Sequence, residues 1–350
     1  MQYTFLGKSG LRVSGLCLGA MTFGEDWVGG TTREASGAIL RAYTEAGGNF
    51  IDTANIYTGG TSEKLLGEFL APDRHRYVLA TKYSISTNGN DPNAGGNHRK
   101  SMVRAVEESL RRLKTDYIDL YYVHIWDGVT PYEEVLRALD DLVRAGKVLY
   151  LGVSDTPAWV VSQSNVLAEL RGWSQFVALQ IEYSLGERTA EGDLIGMADS
   201  HDMSILDWSP LKMGALTGKY LQNGQEGFRL NTPSLDPELQ RHYLNDRVAD
   251  IAREVVAVAR KVGRTPAQVA LNWILGQSHR HIPIIGARTR AHLEDNLGCL
   301  AFTLPATYRQ RLDEVSRPQL SFPHPFLGLE HIQESLLGTH YRRDLRRNGR

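Results

Sequence analysis

Residues 118–123 read Ile-Asp-Leu-Tyr-Tyr-Val, and residues 77–81 read Tyr-Val-Leu-Ala-Thr. Runs that are apolar at nearly every position are the mark of parallel strands buried on both faces. An exposed antiparallel sheet would instead alternate apolar with polar residues. Working outward, similar runs occur at Gly15–Leu18, Asn49–Asp52, Val148–Val153, Phe176–Gln180, Ser204–Asp207 and His281–Ile285. Amphipathic segments lie between them at Thr32–Ala46, Thr61–Leu70, Arg99–Leu113, Pro131–Ala145, Thr156–Leu170, Glu187–Ser200 and Arg247–Val262. Ala46-Gly47-Gly48 and Ala145-Gly146 supply left-handed helix ends, and Thr130-Pro131 and Thr265-Pro266 open further helices. Eight strands alternating with helices predict an α/β fold of the (β/α)8 TIM-barrel type. An open doubly wound sheet is the competing arrangement of the same pattern.

Some segments exceed the minimal repeat. Residues 2–13, around a Gly-Lys-Ser-Gly turn, read as an N-terminal β-hairpin capping the barrel bottom. Residues 213–243 form a long loop after the seventh strand, and loops of that length in compact domains are usually functional. Residues 288–298 and 305–316 read as additional C-terminal helices, followed by a Pro-rich stretch. The expectation is one barrel domain over residues 1–320 and a C-terminal tail over 321–350.

With 39 Lys+Arg against 40 Asp+Glu, the chain shows no stripe suited to nucleic acid or a membrane surface. The basic run Arg342, Arg343, Arg346, Arg347 and Arg350 reads as a solvated tail. Cys17 and Cys299 make neither a disulfide framework nor a metal pair, which fits a reducing compartment. The first residues lack a signal-peptide pattern, and no apolar stretch approaches the roughly 20 residues that span a bilayer. A cytoplasmic protein is expected.

Barrels of this kind place their chemistry at the C-terminal strand ends. There the sequence presents Asp52, then Tyr57, then Lys82 and His124 from three consecutive strands. Each alone has an ordinary reading: a turn cap, packing, a snorkelling lysine, a satisfied core histidine. An acid, a phenol, an ammonium and an imidazole gathered at neighbouring strand exits are hard to ascribe to packing, because ionisable groups there must be paired or functional.

Eight stretches fall in order at these strand ends: LGKSGLRVSGLCLGAMTFG (6–24), NFIDTANIY (49–57), ATK (80–82), YYVH (121–124), GVSD (152–155), QIEYS (180–184), WSPL (208–211) and GARTRAHLEDNL (286–297). With them the chain resembles an aldo-keto reductase over about residues 1–320. The resemblance implies an NADPH-dependent oxidoreductase that reduces aldehydes or ketones to alcohols, with NADH the less favoured cofactor. It makes Tyr57 the proton donor, Lys82 the group that lowers its pKa, Asp52 the partner of Lys82, and His124 the orienter of the substrate oxygen.

It also implies that Ser154, Asp155 and Gln180 hold the nicotinamide amide while Trp208 stacks on its ring. Ser209, Leu211, Lys212, Gly214 and Lys219 would line the pyrophosphate. Gly286, Arg288, His292, Asp295 and Asn296 would surround the adenosine end, with Arg288 gripping a 2′-phosphate. Asp155 stands where the family usually has Asn, and an ionised Asp lacks the hydrogen-bond donor. His292 stands where Gln or Arg is common, which weakens the preference for NADPH slightly.

Neither a GxGxxG after a strand nor a GxxxxGK[ST] is present, and Gly-Ala-Leu-Thr-Gly-Lys at 214–219 falls short of a Walker motif. Trp27 and Trp126, together with Phe326, are candidate walls of the substrate pocket. The expected partner is a small carbonyl compound, with no nucleic acid, membrane or metal; a homo-oligomer stays open. Two rival readings remain. One is a slow nicotinamide-binding regulatory subunit similar to potassium-channel β subunits, with 213–243 as a docking element. The other is a barrel hydrolase, which would need a carboxylate pair or a metal cluster.

Overall fold

The computed structural model describes residues 1–221, 229–231, 236–277 and 280–338. The basic run from Arg342 to Arg350 lies outside the described residues, as do parts of the 213–243 stretch.

Strands β1 (Tyr3–Phe5) and β2 (Arg12–Ser14) pair antiparallel as the expected hairpin. Eight parallel strands then close a barrel. They are β3 (Cys17–Gly19), β4 (Phe50–Asp52), β5 (Val78–Tyr83), β6 (Ile118–Val123), β7 (Val148–Ser154), β8 (Phe176–Glu182), β9 (Ser204–Trp208) and β10 (His281–Ile285), with β10 pairing back onto β3. The outer helices are α1 (Arg33–Glu45), α2 (Thr61–Leu70), α3 (Arg99–Leu113), α4 (Tyr132–Arg144), α5 (Ala158–Arg171), α6 (Leu194–Ser200), α7 (Pro237–Tyr243), α8 (Asp246–Val262), α9 (Pro266–Leu275), α10 (Arg290–Leu297) and α11 (Ala306–Val315). Two short helices follow, α12 (His324–Leu327) and α13 (Glu330–Leu337). The closed barrel excludes the open doubly wound sheet.

Strand alternation divides each run between two cores. Cys17, Phe50, Val78, Ala80, Leu120, Tyr122, Ala178, Leu206 and Ile282 fill the interior together with Leu6 and Val13 of the hairpin. Leu18, Ile51, Leu79, Tyr121, Val123, Leu151, Leu179 and Ile205 face the helices. The hairpin does cap the bottom: Leu6 is wholly buried, and the Gly7 amide donates to Ser204 Oγ at the start of β9, 2.7 Å away. Gly7 adopts φ 54°, and a Cβ there would lie 2.3 Å from the Val177 carbonyl oxygen.

Three expectations shift. The first barrel strand begins at Cys17 because the Gly15 amide is bonded to the Gln2 carbonyl at 2.9 Å. The helix expected over Glu187–Ser200 breaks into a 3-10 turn (Thr189–Glu191) and α6, with Gly192 between them. The 213–243 stretch is not all loop. It holds α7, whose Asp236 cap accepts from the Glu238 and Leu239 amides.

Gly152 tests the interior packing. A Cβ there would meet the Tyr122 ring at 2.3 Å, and that ring is fully buried. Gly152→Ala is expected to cost about 1–3 kcal/mol and to lower Tm. Gly196→Ala, in α6 with nothing within 4 Å of the new methyl, should leave Tm unchanged or slightly raised. Equal melting curves for the two variants would refute this account of the interior.

Candidate active site

The same alternation carries the inward face of each strand up to the mouth. Phe50 and Ala80 line the interior, so Asp52 and Lys82 also point inward, and His124 continues the line of Leu120 and Tyr122. Tyr57 arrives differently, on the first turn of a 3-10 segment (Tyr57–Gly60) after β4.

These four side chains converge. Lys82 is fully buried, and its ammonium spends all three protons: on Asp52 Oδ1 at 2.5 Å, the Thr53 carbonyl at 2.8 Å and the Tyr57 hydroxyl at 3.3 Å. The other Asp52 oxygen accepts from Gln180 Nε2 at 2.9 Å. Because Tyr57 oxygen accepts from Lys82, its own proton is left to donate elsewhere. The Tyr57 ring meets Trp27 and His124 edge to face, with centroids 6.1 and 5.8 Å apart.

Burial pushes the Tyr57 phenol above its ordinary range, and the Lys82 charge offsets only part of that rise. The sequence-level expectation of a lowered pKa is therefore corrected, because desolvation outweighs the nearby charge. Burial also opposes the charge on Lys82, yet Asp52 and Tyr57 more than restore it and raise its pKa. His124 is pushed well below its usual value, by burial first and by Lys82 second, so its imidazole is neutral. Its Nδ1 is buried without a hydrogen-bond partner among the described residues.

The expected cofactor residues line the neighbouring strand ends. Ser154 and Gln180 are buried at the tops of β7 and β8. Asp155 follows at φ 40° and accepts from Trp208 Nε1 at 3.1 Å. Although it sits at the open mouth, surrounding protein lifts its carboxyl to about 6 by desolvation, against the opposing Trp208 bond and Lys82 charge. Ser209, Lys212 and Met213 hold left-handed backbone (φ 55°, 49° and 51°), followed by Gly214 at 89°. Strain of this kind clusters at ligand clamps. Beside Gly214 the Lys219 ammonium lies 2.8 Å from where a Cβ would stand, and Leu211 accepts the Gly214 amide at 2.8 Å. After β10, no described atom outside the adjacent residues of the chain lies within 4 Å of where a Gly286 Cβ would stand, and the Gly286 carbonyl is held by Asn296 Nδ2 at 3.2 Å. Arg288 and His292 are exposed on the same rim.

Three candidates are placed elsewhere. Lys212, expected at the pyrophosphate, is buried against Glu182 (2.8 Å) and His242 (2.9 Å), with Glu187 at 3.8 Å. A buried ammonium needs such counter-charge, and these carboxylates surround it. Glu182, Glu187 and His242 lie close enough together to hold a cation, and the Lys212 ammonium is already bonded to two of them. Asp295 turns its carboxylate to Thr265 and Gln268, bracing the cap of α9 rather than the rim. Trp126 packs into the strand–helix layer beside Val123, Tyr132, Val135 and Val160, and makes no ring contact with Tyr57. Phe326 meets Phe322. Sequence reading missed the Glu182–His242 pair, and also Ser84, Asn97 and Asp127, whose only signal was the Asp-Gly turn at 127–128.

Among the described residues, no helix is long and apolar enough to cross a membrane. The chain matches the model of the Aldo/keto reductase family over residues 15–317. It is 38% identical over 329 residues to a norsolorinic acid reductase of Emericella nidulans, covering 91% of this chain and 82% of that protein. It is 37% identical over 337 residues to the aryl-alcohol dehydrogenase [NADP(+)] of Phanerodontia chrysosporium, covering 91% and 86%. With a closed parallel barrel, an inward lysine–carboxylate pair and a family match over most of its length, the chain is an oxidoreductase that belongs to the aldo/keto reductase family.

Proposed function

We propose that this protein reduces aldehydes and ketones, flat aryl carbonyls among them, to alcohols with NADPH, with Tyr57 donating the proton. The observation that carries this reading is the hydroxyl of Tyr57 held 3.3 Å from a buried, fully bonded Lys82 ammonium, with neutral His124 against the same ring. Relatives named for an NADP(+) aryl-alcohol dehydrogenase and for norsolorinic acid reduction favour the cofactor and the aryl class.

The residues present fit a nicotinamide dinucleotide. The left-handed run through Gly214, with Lys219 resting where a side chain would otherwise stand, makes a cationic cradle on the β9 loop. Arg288 adds an exposed guanidinium on the adjacent β10 loop. Ser154, Asp155, Gln180 and Trp208 would hold the nicotinamide end, with Ser209 and Leu211 beside the phosphates and Gly286, His292 and Asn296 at the adenosine. When bound, the cofactor supplies the hydride that the carbonyl carbon takes up.

The protein manages the proton and the oxygen. Burial keeps Tyr57 protonated at neutral pH, so the acid is loaded before reaction. Once its proton has passed to the substrate oxygen, the phenolate is met by the Lys82 ammonium, whose charge Asp52 secures. Neutral His124 can donate one N–H to the same oxygen and orient it. Trp27, 40% exposed and edge-on to Tyr57, offers an apolar wall for a flat substrate.

Tyr57→Phe is expected to abolish aldehyde-dependent NADPH oxidation while the Kd for NADPH changes little. Retained turnover would remove Tyr57 from the role. Lys82→Met and His124→Gln should each raise the barrier by several kcal/mol, read as kcat/KM. Asp155 gives a pH signature. Its folded pKa is raised, so the protonated, donor-bearing form persists up to about pH 6 and is lost above it. The cofactor KM should therefore rise as pH increases through about 6, and Asp155→Asn should flatten that dependence. A pH profile shared by both proteins would sink the assignment.

A further inference from the structure

Two mouth loops, 84–98 after β5 and 125–130 after β6, are tied together through side-chain to backbone bonds. Asp127 Oδ2 accepts from the Asn97 amide at 2.8 Å, and Asn97 Oδ1 accepts from the Asp127 amide at 2.7 Å. The Asn97 side-chain nitrogen donates to the Ile125 carbonyl at 2.9 Å. Ser84 Oγ takes both remaining backbone roles at Ile125, accepting from its amide and donating to its carbonyl, each at 3.0 Å. The Tyr83 hydroxyl in turn holds the Asn97 carbonyl at 3.1 Å.

The remaining Asp127 valences are filled locally. Oδ1 accepts from the Val129 and Thr130 amides at 3.0 and 2.9 Å, and the Thr130 hydroxyl donates to Oδ2 at 2.6 Å. Burial works against this carboxylate, but these donors outweigh it and bring its pKa down to about 2. Asn97 is wholly buried, whereas the chain it fixes presents apolar side chains outward: Ile125 is 45% exposed and Val129 84% exposed. Ile125 directly follows His124, whose amide is bonded to the Tyr83 carbonyl at 3.0 Å. Ser84 itself is held at φ 100°, which an L-residue adopts only under constraint.

We propose that Asn97 and Asp127 are positioning residues: their reciprocal bond fixes the Ile125–Val129 wall beside His124 and so sets the preference for bulky, flat carbonyl substrates over small ones. This rests on the carbonyl-reductase reading above. A wall that must stay flat against an aryl ring cannot be left to loop packing alone, and exposed loops are the low-stability part of a barrel. The cross-link gives this one the rigidity of the strands beneath it.

Asp127→Asn cuts the bond from the Asn97 amide, while the Thr130 hydroxyl, which also donates to Oδ2, can turn to accept from the new NH2. The variant's one carbonyl oxygen can still cap Val129 and Thr130, but its NH2 then faces the Asn97 N–H, donor against donor. Asn97→Ala removes the other half: the Asp127 amide loses its acceptor, and the Ile125 carbonyl keeps only its bond from Ser84. For each purified variant, kcat and KM would be measured with NADPH on naphthaldehyde and on propanal, with amide hydrogen exchange at 84–98 and 125–130 alongside. The expected result is a drop of about tenfold in the naphthaldehyde-to-propanal ratio of kcat/KM, carried by KM. The double variant should be about as impaired as the worse single, because both cuts act on one cross-link. Exchange at the Asn97 and Asp127 amides should quicken. An unchanged ratio, equal losses on both aldehydes, or unchanged exchange would overturn the proposal. A wild-type protein that reduces neither aldehyde would sink the functional reading instead, and the exchange rates would still decide whether the cross-link holds the wall.

Discussion

An ammonium deep inside a protein is held there only by compensation, and Lys82 sets the terms for everything around it. Moving each ion out of water costs several kcal/mol, so a bare Lys82 would shed its proton. Asp52 at 2.5 Å prevents that, and Gln180 in turn holds the second Asp52 oxygen. The pair therefore consumes polar groups from β4, β5 and β8, three strands of one barrel. Breaking a buried pair of this kind by removing one partner typically costs about 3–5 kcal/mol, because the survivor is left charged and unsatisfied. The interaction is thus a poor device for stability and a good one for chemistry. It fixes a positive charge, with one donor left over, at the single place where a phenol can use it.

Closure of the barrel makes that placement reliable. The period of two along each strand sends Phe50 and Asp52, or Ala80 and Lys82, into the same interior column. Parallel register then sets Asp52 beside Ala80, and Lys82 beside Tyr122. Beneath these groups the interior is packed with apolar side chains and plugged from below by Leu6. The low dielectric that endangers Lys82 also strengthens its hold on any phenolate formed at Tyr57.

Much of this was legible in the sequence because the physics was local. Runs such as Ile118–Val123 are apolar on both faces, and only a sheet covered on both sides asks for that. Asp52, Lys82 and His124 could be found by counting to the strand ends. Tyr57 could not, since a 3-10 turn rather than a strand delivers it; the motif alone marked it. Lys212 misled for a further reason. Its partners Glu182 and His242 lie 30 residues away on either side, and nothing near Lys212 announces them. Trp126 looked like a loop aromatic open to the mouth, yet its amide bonds the Asp155 carbonyl at 3.4 Å and its ring packs with the core. Long-range pairing decided each of these outcomes.

On the proposed reading, reaction and selection have different carriers in this molecule. The proposed chemistry rests on Asp52 and Lys82 in the strands and on Tyr57 and His124 just past them, groups held by the barrel interior, which is how one fold can support a single constellation across many substrates. The walls rest on loops, where backbone groups lack ladder partners and must find side chains instead. At the β5 and β6 exits those partners are Ser84, Asn97 and Asp127, each bonding main chain of the neighbouring loop. Because the Tyr83 carbonyl holds the His124 amide while its hydroxyl holds Asn97, the wall and the imidazole share one anchor. On the proposed reading, a displacement of the wall would be felt at the substrate oxygen as well as at the substrate ring. The loop is cross-linked beside the imidazole and exposed at Ile125 and Val129.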